Sequence, residues 1–117
     1  MSIQQGAEAE EIACRYLLTQ GFCLIERNYH SRFGEIDLIV AQGNTIIFVE
    51  VRQRRSRCFG GAAVSVTWKK QQKIQRSAAY FLQMYPKYQT FACRFDVIAL
   101  DGPELKLNWI KNAFGQN

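Results

Sequence analysis

Histidine is nearly absent from this 117-residue chain, with His30 the single example, and the cysteines Cys14, Cys23, Cys58 and Cys93 include no Cys-x-x-Cys pair. That scarcity argues against a structural zinc site, whose ligands are closely spaced Cys and His. The thiols read instead as reduced core or surface groups, since free cysteine behaves as a small hydrophobe. No apolar run approaches the ~18 residues of a membrane span, and the N-terminus has neither a basic flank nor a signal-like segment. A soluble, cytoplasmic protein with no membrane partner is expected. There is no internal repeat and no low-complexity stretch. At this length one complete core can form but not two ordinary domains, so residues 1–117 are read as a single domain.

Acidic residues are also missing from Arg52 through Arg76, a stretch that holds eight basic ones, while Glu8, Glu10 and Glu11 crowd the start of the chain. The formal charge is +5. Such a concentration of positive charge suits a polyanion such as nucleic acid, the plainer alternative being a solvated basic face.

What is present is a regular alternation of elements. In residues 7–19, Ala9, Ile12, Ala13, Tyr16 and Leu17 recur at helical spacing, and Gly21 is placed to end the helix. Glu11 then lies opposite the apolar stripe and Glu10 at its edge, where it looks toward whatever the helix covers. FCLIERNYH reads as a strand, and His30 to Gly34 as its turn. EIDLIVA and TIIFVEVRQ follow, separated by QGN, which is an antiparallel hairpin in its simplest form. RRSRCFGGAA is a basic, irregular loop. A second helix is expected over Thr67 to Tyr85, with Ile74, Ala78, Phe81, Leu82 and Tyr85 inward and Pro86 ending it. Lys70 points along its inward side, and Lys69 and Arg76 outward. CRFDVIAL and LKLNWI read as two further strands around a DGPE turn. Helix, three strands, helix, two strands is an α/β order, a mixed sheet carrying helices.

The hairpin strands are apolar enough for a core, yet one carries Asp37 and the other Glu50. Alternation puts Glu35, Asp37 and Ile39 on one face and Ile36, Leu38 and Val40 on the other, while Phe48, Glu50 and Arg52 share a face in the partner strand. With a four-residue loop, Gln42 to Thr45, Asp37 falls opposite Glu50 with Cβ atoms ~5 Å apart. Like charges at that distance repel, and a hard divalent cation such as Mg²⁺ or Mn²⁺ would reverse the sign of the interaction. A three-residue loop would put the two acids on opposite faces, so the site depends on register. The alternative is a structural cluster in which Arg52 pairs with Asp37 or Glu50.

GAEAEEIACRYLLTQGF, RNYHSRFGEIDLIV, IIFVEVRQR, FGGAAVSVTWKKQQKIQRSAAYFL, CRFDVIA and WIKNAF resemble, in that order, the YraN-like family of small bacterial proteins. That family looks like a branch of the restriction-endonuclease-like superfamily, whose relatives include archaeal Holliday-junction resolvases and tRNA-splicing endonucleases. The resemblance implies a three-layer fold with a mixed central sheet of about five strands flanked by helices. Nucleases of the superfamily use an Asp on one strand, Asp/Glu-x-Lys on the next, and often a Glu from the first helix. By that resemblance Asp37, Glu50 and Glu10 match the acids, and Lys70 falls where a lysine or glutamine of the following helix approaches the site. Arg52 departs from the pattern, standing where the motif has lysine. Arginine stabilises charge but, with a pKa above ~12, cannot act as a general base.

The leading expectation is a metal-dependent nuclease acting on DNA or RNA. Asp37 and Glu50, assisted by Glu10, would hold Mg²⁺ or Mn²⁺, and Arg52 and Lys70 would stabilise charge on the phosphate. Arg54, Arg55, Arg57, Lys69, Lys73 and Arg76 would hold the nucleic-acid backbone without reading sequence. The rivals are a non-catalytic nucleic-acid-binding module and a protein-interaction adaptor. Phe59 and Trp68 could stack on bases or pack a loop onto the core, and Gly60 and Gly61 could admit a phosphate or simply a tight turn. Trp109 and Phe114 are expected to close the core. A homodimer would be informative, because junction-cleaving relatives cut two strands symmetrically.

Overall fold

The computed structural model describes residues 3–54 and 66–115. Helix α1 spans Ile3–Thr19, followed by strands β1 (Cys23–Ser31), β2 (Gly34–Gln42) and β3 (Thr45–Arg54). Helix α2 (Trp68–Met84), a 3-10 turn at Pro86–Tyr88, and strands β4 (Ala92–Asp101) and β5 (Lys106–Phe114) complete the order. The expected basic loop between β3 and α2, with Arg55, Arg57, Cys58, Phe59, Gly60 and Gly61, lies outside the described residues.

Local chemistry sets the element ends. Gly21, at φ +90°, closes α1. The Phe22 N–H donates to the Leu17 carbonyl at 3.2 Å and the Gly21 N–H to the Leu18 carbonyl at 3.1 Å, which satisfies carbonyls the helix leaves open. At the other helix, the Thr67 side chain accepts from the Lys70 N–H at 3.2 Å and caps the first turn. Pro86, which cannot continue the helix, opens the 3-10 turn.

The five strands form one sheet in the order β1-β2-β3-β4-β5. Every neighbouring pair is antiparallel except β3 and β4. β3 is therefore central, and Ile46 through Glu50 are all buried, which is why its sequence is a nearly unbroken apolar run rather than an alternation.

On one face Ala13, Cys14 and Leu17 of α1, with Phe22, pack against Leu38, Val40, Ile47, Val49 and Ile98. On the other, Ile74, Ala78 and Phe81 of α2 pack against Tyr29, Ile36, Ile39, Ile46 and Phe48. Trp109 and Phe114 join opposite clusters as partly buried members. Helix, sheet, helix is the three-layer α/β architecture expected, compatible with the restriction-endonuclease-like fold.

Three local readings change. Gln42 and Thr45 pair, so the hairpin turn is Gly43–Asn44 alone, with Gly43 at φ +59°. The register is unaffected. β1 continues through His30, which pairs with Glu35, to Ser31. Ile36 joins the α2 cluster rather than Leu38 and Val40. Pairing of β2 with β3 stops at Leu38–Val49, and the preceding residues are drawn onto α2 by a 2.8 Å hydroxyl–hydroxyl bond between Ser31 and Ser77.

Candidate active site

Where the β2–β3 ladder ends, Asp37 takes over from the backbone: its Oδ2 accepts the Val51 N–H at 2.8 Å. The register that pairs Leu38 with Val49 sets Asp37 beside Glu50, and the two carboxyls are close enough to share a proton through a hydrogen bond. This is the juxtaposition expected of the four-residue loop, and the Gln42–Thr45 pairing excludes the three-residue alternative.

The pair opens into a cavity of about 440 Å³. α1 contributes Gly6, Ala9 and Glu10, β2 contributes Glu35 and Asp37, β3 contributes Glu50 through Gln53, and α2 contributes Lys70. All five residues expected to carry the chemistry, Glu10, Asp37, Glu50, Arg52 and Lys70, thus line one space although they come from four elements. Glu35 and Gln53 were not anticipated there. Glu35 shares the Asp37 face by alternation, a signal available in the sequence.

Electrostatics at the site are those of crowded acids. Glu50 is 4% exposed. Burial, and then the neighbouring Asp37 charge, push its carboxyl up to about 8, against the opposing pull of Lys70 and Arg52. Asp37 is raised as well, mainly by burial, with the Val51 N–H and the Glu50 hydrogen bond acting the other way. Glu10 is raised by burial and by Asp37, partly offset by a hydrogen bond from Asn28 and by Arg27. Glu11, on the far side of the helix, serves instead in ion pairs with Arg15 at 2.6 Å and Arg27 at 2.8 Å.

The two cations sit on the Glu50 side. Arg52 Nε lies 3.2 Å from Glu50 Oε2 but is misaligned for a hydrogen bond, and Lys70 Nζ lies 3.9 Å from the same oxygen. Glu50 Oε1 is buried and meets no hydrogen-bond donor. A buried carboxylate oxygen without a donor is costly when ionised, a cost that keeping the proton avoids and that a cation at this atom would offset.

Among the described residues no three acids, histidines or cysteines are grouped closely enough to cage a metal by themselves. The donor set nonetheless fits Mg²⁺, which is commonly held by one or two carboxylates, waters and substrate phosphate rather than by a protein cage. Asp37 and Glu50 would hold it, with Glu10 acting through water.

Of the residues expected to contact a nucleic-acid backbone, Arg54 is exposed at the end of β3, and Lys69, Lys73 and Arg76 are exposed on α2. Arg55 and Arg57 lie outside the described residues. Trp68, at the start of α2, is 72% exposed, which removes core packing as its role.

Asp96 was not foreseen at all. It is fully buried and accepts from Arg94 Nε and Nη2, Trp109 Nε1 and the Asn112 N–H, each at 2.9 Å. A carboxylate with four donors is a structural joint between β4 and β5.

A family model described as "Uncharacterised protein family UPF0102" matches residues 9–100. A UPF0102 protein of Legionella pneumophila is 44% identical over 97% of both chains. One from Stutzerimonas stutzeri is 45% identical over 97% of this chain and 96% of its own, and one from Herminiimonas arsenicoxydans is 51% identical over 92% and 84%. With its family signature spanning both helices, the hairpin and β4, and with near full-length relatives on this scale, the chain belongs to the UPF0102 family.

Proposed function

We propose that this protein is a metal-dependent nuclease acting on DNA or RNA in the cytoplasm. The observation that carries the reading is the Asp37–Glu50 pair, two raised carboxyls in one open cavity, with an orphaned Glu50 oxygen and two cations beside it. A stable fold gains nothing from crowding acids in this way, and strongly perturbed titratable groups in a cleft favour a functional role.

A divalent ion at this pair would polarise a phosphate and lower the pKa of water. The chain's own residues do the remaining work. Asp37, which lines the cavity, is held in place by the Val51 N–H on its Oδ2. Lys70 and Arg52, which lie beside Glu50, would stabilise charge that develops on the phosphate oxygens. Arg52 supplies charge only, and Lys70 would stand in for the motif lysine. Exposed Lys69, Lys73, Arg76 and Arg54 would hold the backbone by contacts that weaken as salt rises.

The second reading, a non-catalytic binding module, is favoured by one feature, the arginine at position 52. A labelled panel of four-way junction, flap, duplex, single-stranded DNA and structured RNA, incubated with Mg²⁺, Mn²⁺ or EDTA, separates the two. Metal-dependent cutting lost in both Asp37→Ala and Glu50→Ala supports the nuclease. Binding without cutting, with activity gained by Arg52→Lys, supports a lapsed catalyst.

A further inference from the structure

Between the β1–β2 turn and the outward side of α2 lies a second hollow of about 370 Å³. Arg32 and Phe33 line it from the β1–β2 turn, and Arg76, Ala79, Tyr80 and Gln83 from the helix. The Phe33 and Tyr80 rings stand 5.9 Å apart between centroids and are tilted by 58°, so they form a wedge rather than a closed stack. Arg32 Cζ lies 4.9 Å over the Phe33 ring. Neither Arg32 nor Arg76 has an ion-pair partner among the described residues.

This hollow is built by specific contacts. Ser77, fully buried, bonds Ser31 at 2.8 Å. The Ser31 hydroxyl also accepts the Phe33 N–H at 3.1 Å and donates to the Gly34 carbonyl at 3.2 Å. Gly34 has φ +148°, and a Cβ there would meet Lys73 Cβ at 3.3 Å. The turn is thereby pressed onto α2, and Phe33 is presented without belonging to either core cluster.

On α2, positions 69, 73, 76, 80 and 83 recur at three- and four-residue steps, which places Lys69, Lys73, Arg76, Tyr80 and Gln83 along one stripe. The stripe begins beside Lys70 at the acidic cavity and ends at the aromatic wedge. β2 makes the same connection from the other side, since Phe33 precedes Asp37 by four residues, ~13 Å along a strand.

The geometry points to a base-stacking subsite for single-stranded nucleic acid. One unpaired base stacks from the hollow against the touching Phe33–Tyr80 pair, Arg32 and Arg76 hold its flanking phosphates, and the strand continues along Lys73 and Lys69 to the carboxylates. Aromatic faces with adjacent guanidinium groups accept any base without reading sequence, whereas a duplex keeps its bases stacked out of reach. The inference rests on the nucleic-acid reading above and names its substrate class.

The test is direct binding in EDTA, so that no cleavage is required. Fluorescence anisotropy compares a dye-labelled oligothymidylate with an abasic phosphodiester of the same length and with a duplex, using wild type, Phe33→Leu and Arg76→Ala. Leucine keeps apolar bulk, and circular dichroism with thermal melting checks the fold. Wild type is expected to prefer the oligothymidylate over the abasic strand by about tenfold, the scale of one stacked base. Phe33→Leu should remove most of that preference and leave abasic and duplex affinity unchanged, while Arg76→Ala should weaken all three. Equal wild-type affinity for the base-bearing and abasic strands, or an unchanged preference in folded Phe33→Leu, overturns the subsite and leaves the nuclease reading standing. Absence of binding to every nucleic acid overturns both.

Discussion

Replacing Glu50 by glutamine should stabilise the metal-free protein at alkaline pH, even though it removes a residue on which the proposed chemistry depends. The folded carboxyl is pushed up to about 8 by burial and by Asp37, from an ordinary value near 4.5. The folded chain therefore binds this proton more tightly than the unfolded chain. Its contribution is fully present below about pH 4.5 and is lost as pH rises through about 8. At about 1.4 kcal/mol per unit the ceiling is about 5 kcal/mol. Asp37 shares the same proton and the cavity admits water, so about 2–3 kcal/mol is the expected share. Glutamine has nearly the same volume and no charge, and it can donate to Asp37 while presenting its carbonyl to Arg52 and Lys70. Urea unfolding in EDTA at about pH 5 and about pH 9 measures the effect. Wild type should lose about 2–3 kcal/mol more than Glu50→Gln across that interval, with an unchanged dependence on urea. Parallel pH profiles for the two proteins would refute the reasoning, because they would mean that Glu50 is solvated as well in the folded chain as in the unfolded one.

Two further outcomes concern the frame that holds the site. Asp96→Asn sets an amide NH₂ against donors at a fully buried position and weakens the pairing with the half-buried Arg94, which should cost about 3 kcal/mol in chemical unfolding. A loss under about 1 kcal/mol would show that the four-donor joint is not structural. Thr67→Ala removes the side-chain cap on the Lys70 N–H and should cost about 1 kcal/mol. The same substitution frays the turn that carries Lys70, so cleavage in the panel should fall by more than stability alone explains.

Legibility in the sequence followed the range of the interactions. The hairpin was readable from QGN between two β-branched runs, but a three-residue loop was as compatible with it as a four-residue one, and the Gln42–Thr45 pairing is what brings Asp37 to Glu50. Gly21 and Pro86 marked helix ends through backbone geometry that belongs to those residues themselves. α1 starts at Ile3 rather than near residue 7, since Gln4, Gln5 and Gly6 offer no apolar periodicity to register. β5 runs on to Phe114 past the alternating segment, and a register shift between Phe95 and Val97 lies in its pairing with β4. Such a shift has no sequence signature here.

Asp96 stayed hidden for the same reason. Arg94 is two residues away, but Trp109 and Asn112 reach it only across a strand pairing. Ile36 broke strict alternation because the turn before it is held by Ser77, 46 residues along the chain from Ser31. The Phe33–Tyr80 wedge is likewise created by docking of two distant segments, and neither aromatic stands out in its own sequence context. Trp68 does stand out once its exposure is known, since an indole that is 72% exposed is poorly explained by packing.

Whether the Asp37–Glu50 pair accepts a divalent cation is read most directly from thermal unfolding with added Mn²⁺ at about pH 8.5, without any assumption about substrate. Wild type should be stabilised by about 1.4 kcal/mol when the free ion reaches ten times its dissociation constant, a rise of several degrees in Tm. Asp37→Asn and Glu50→Gln should show no such rise. No stabilisation of wild type at millimolar Mn²⁺, or an equal rise in both variants, would mean that the pair is not a cation site.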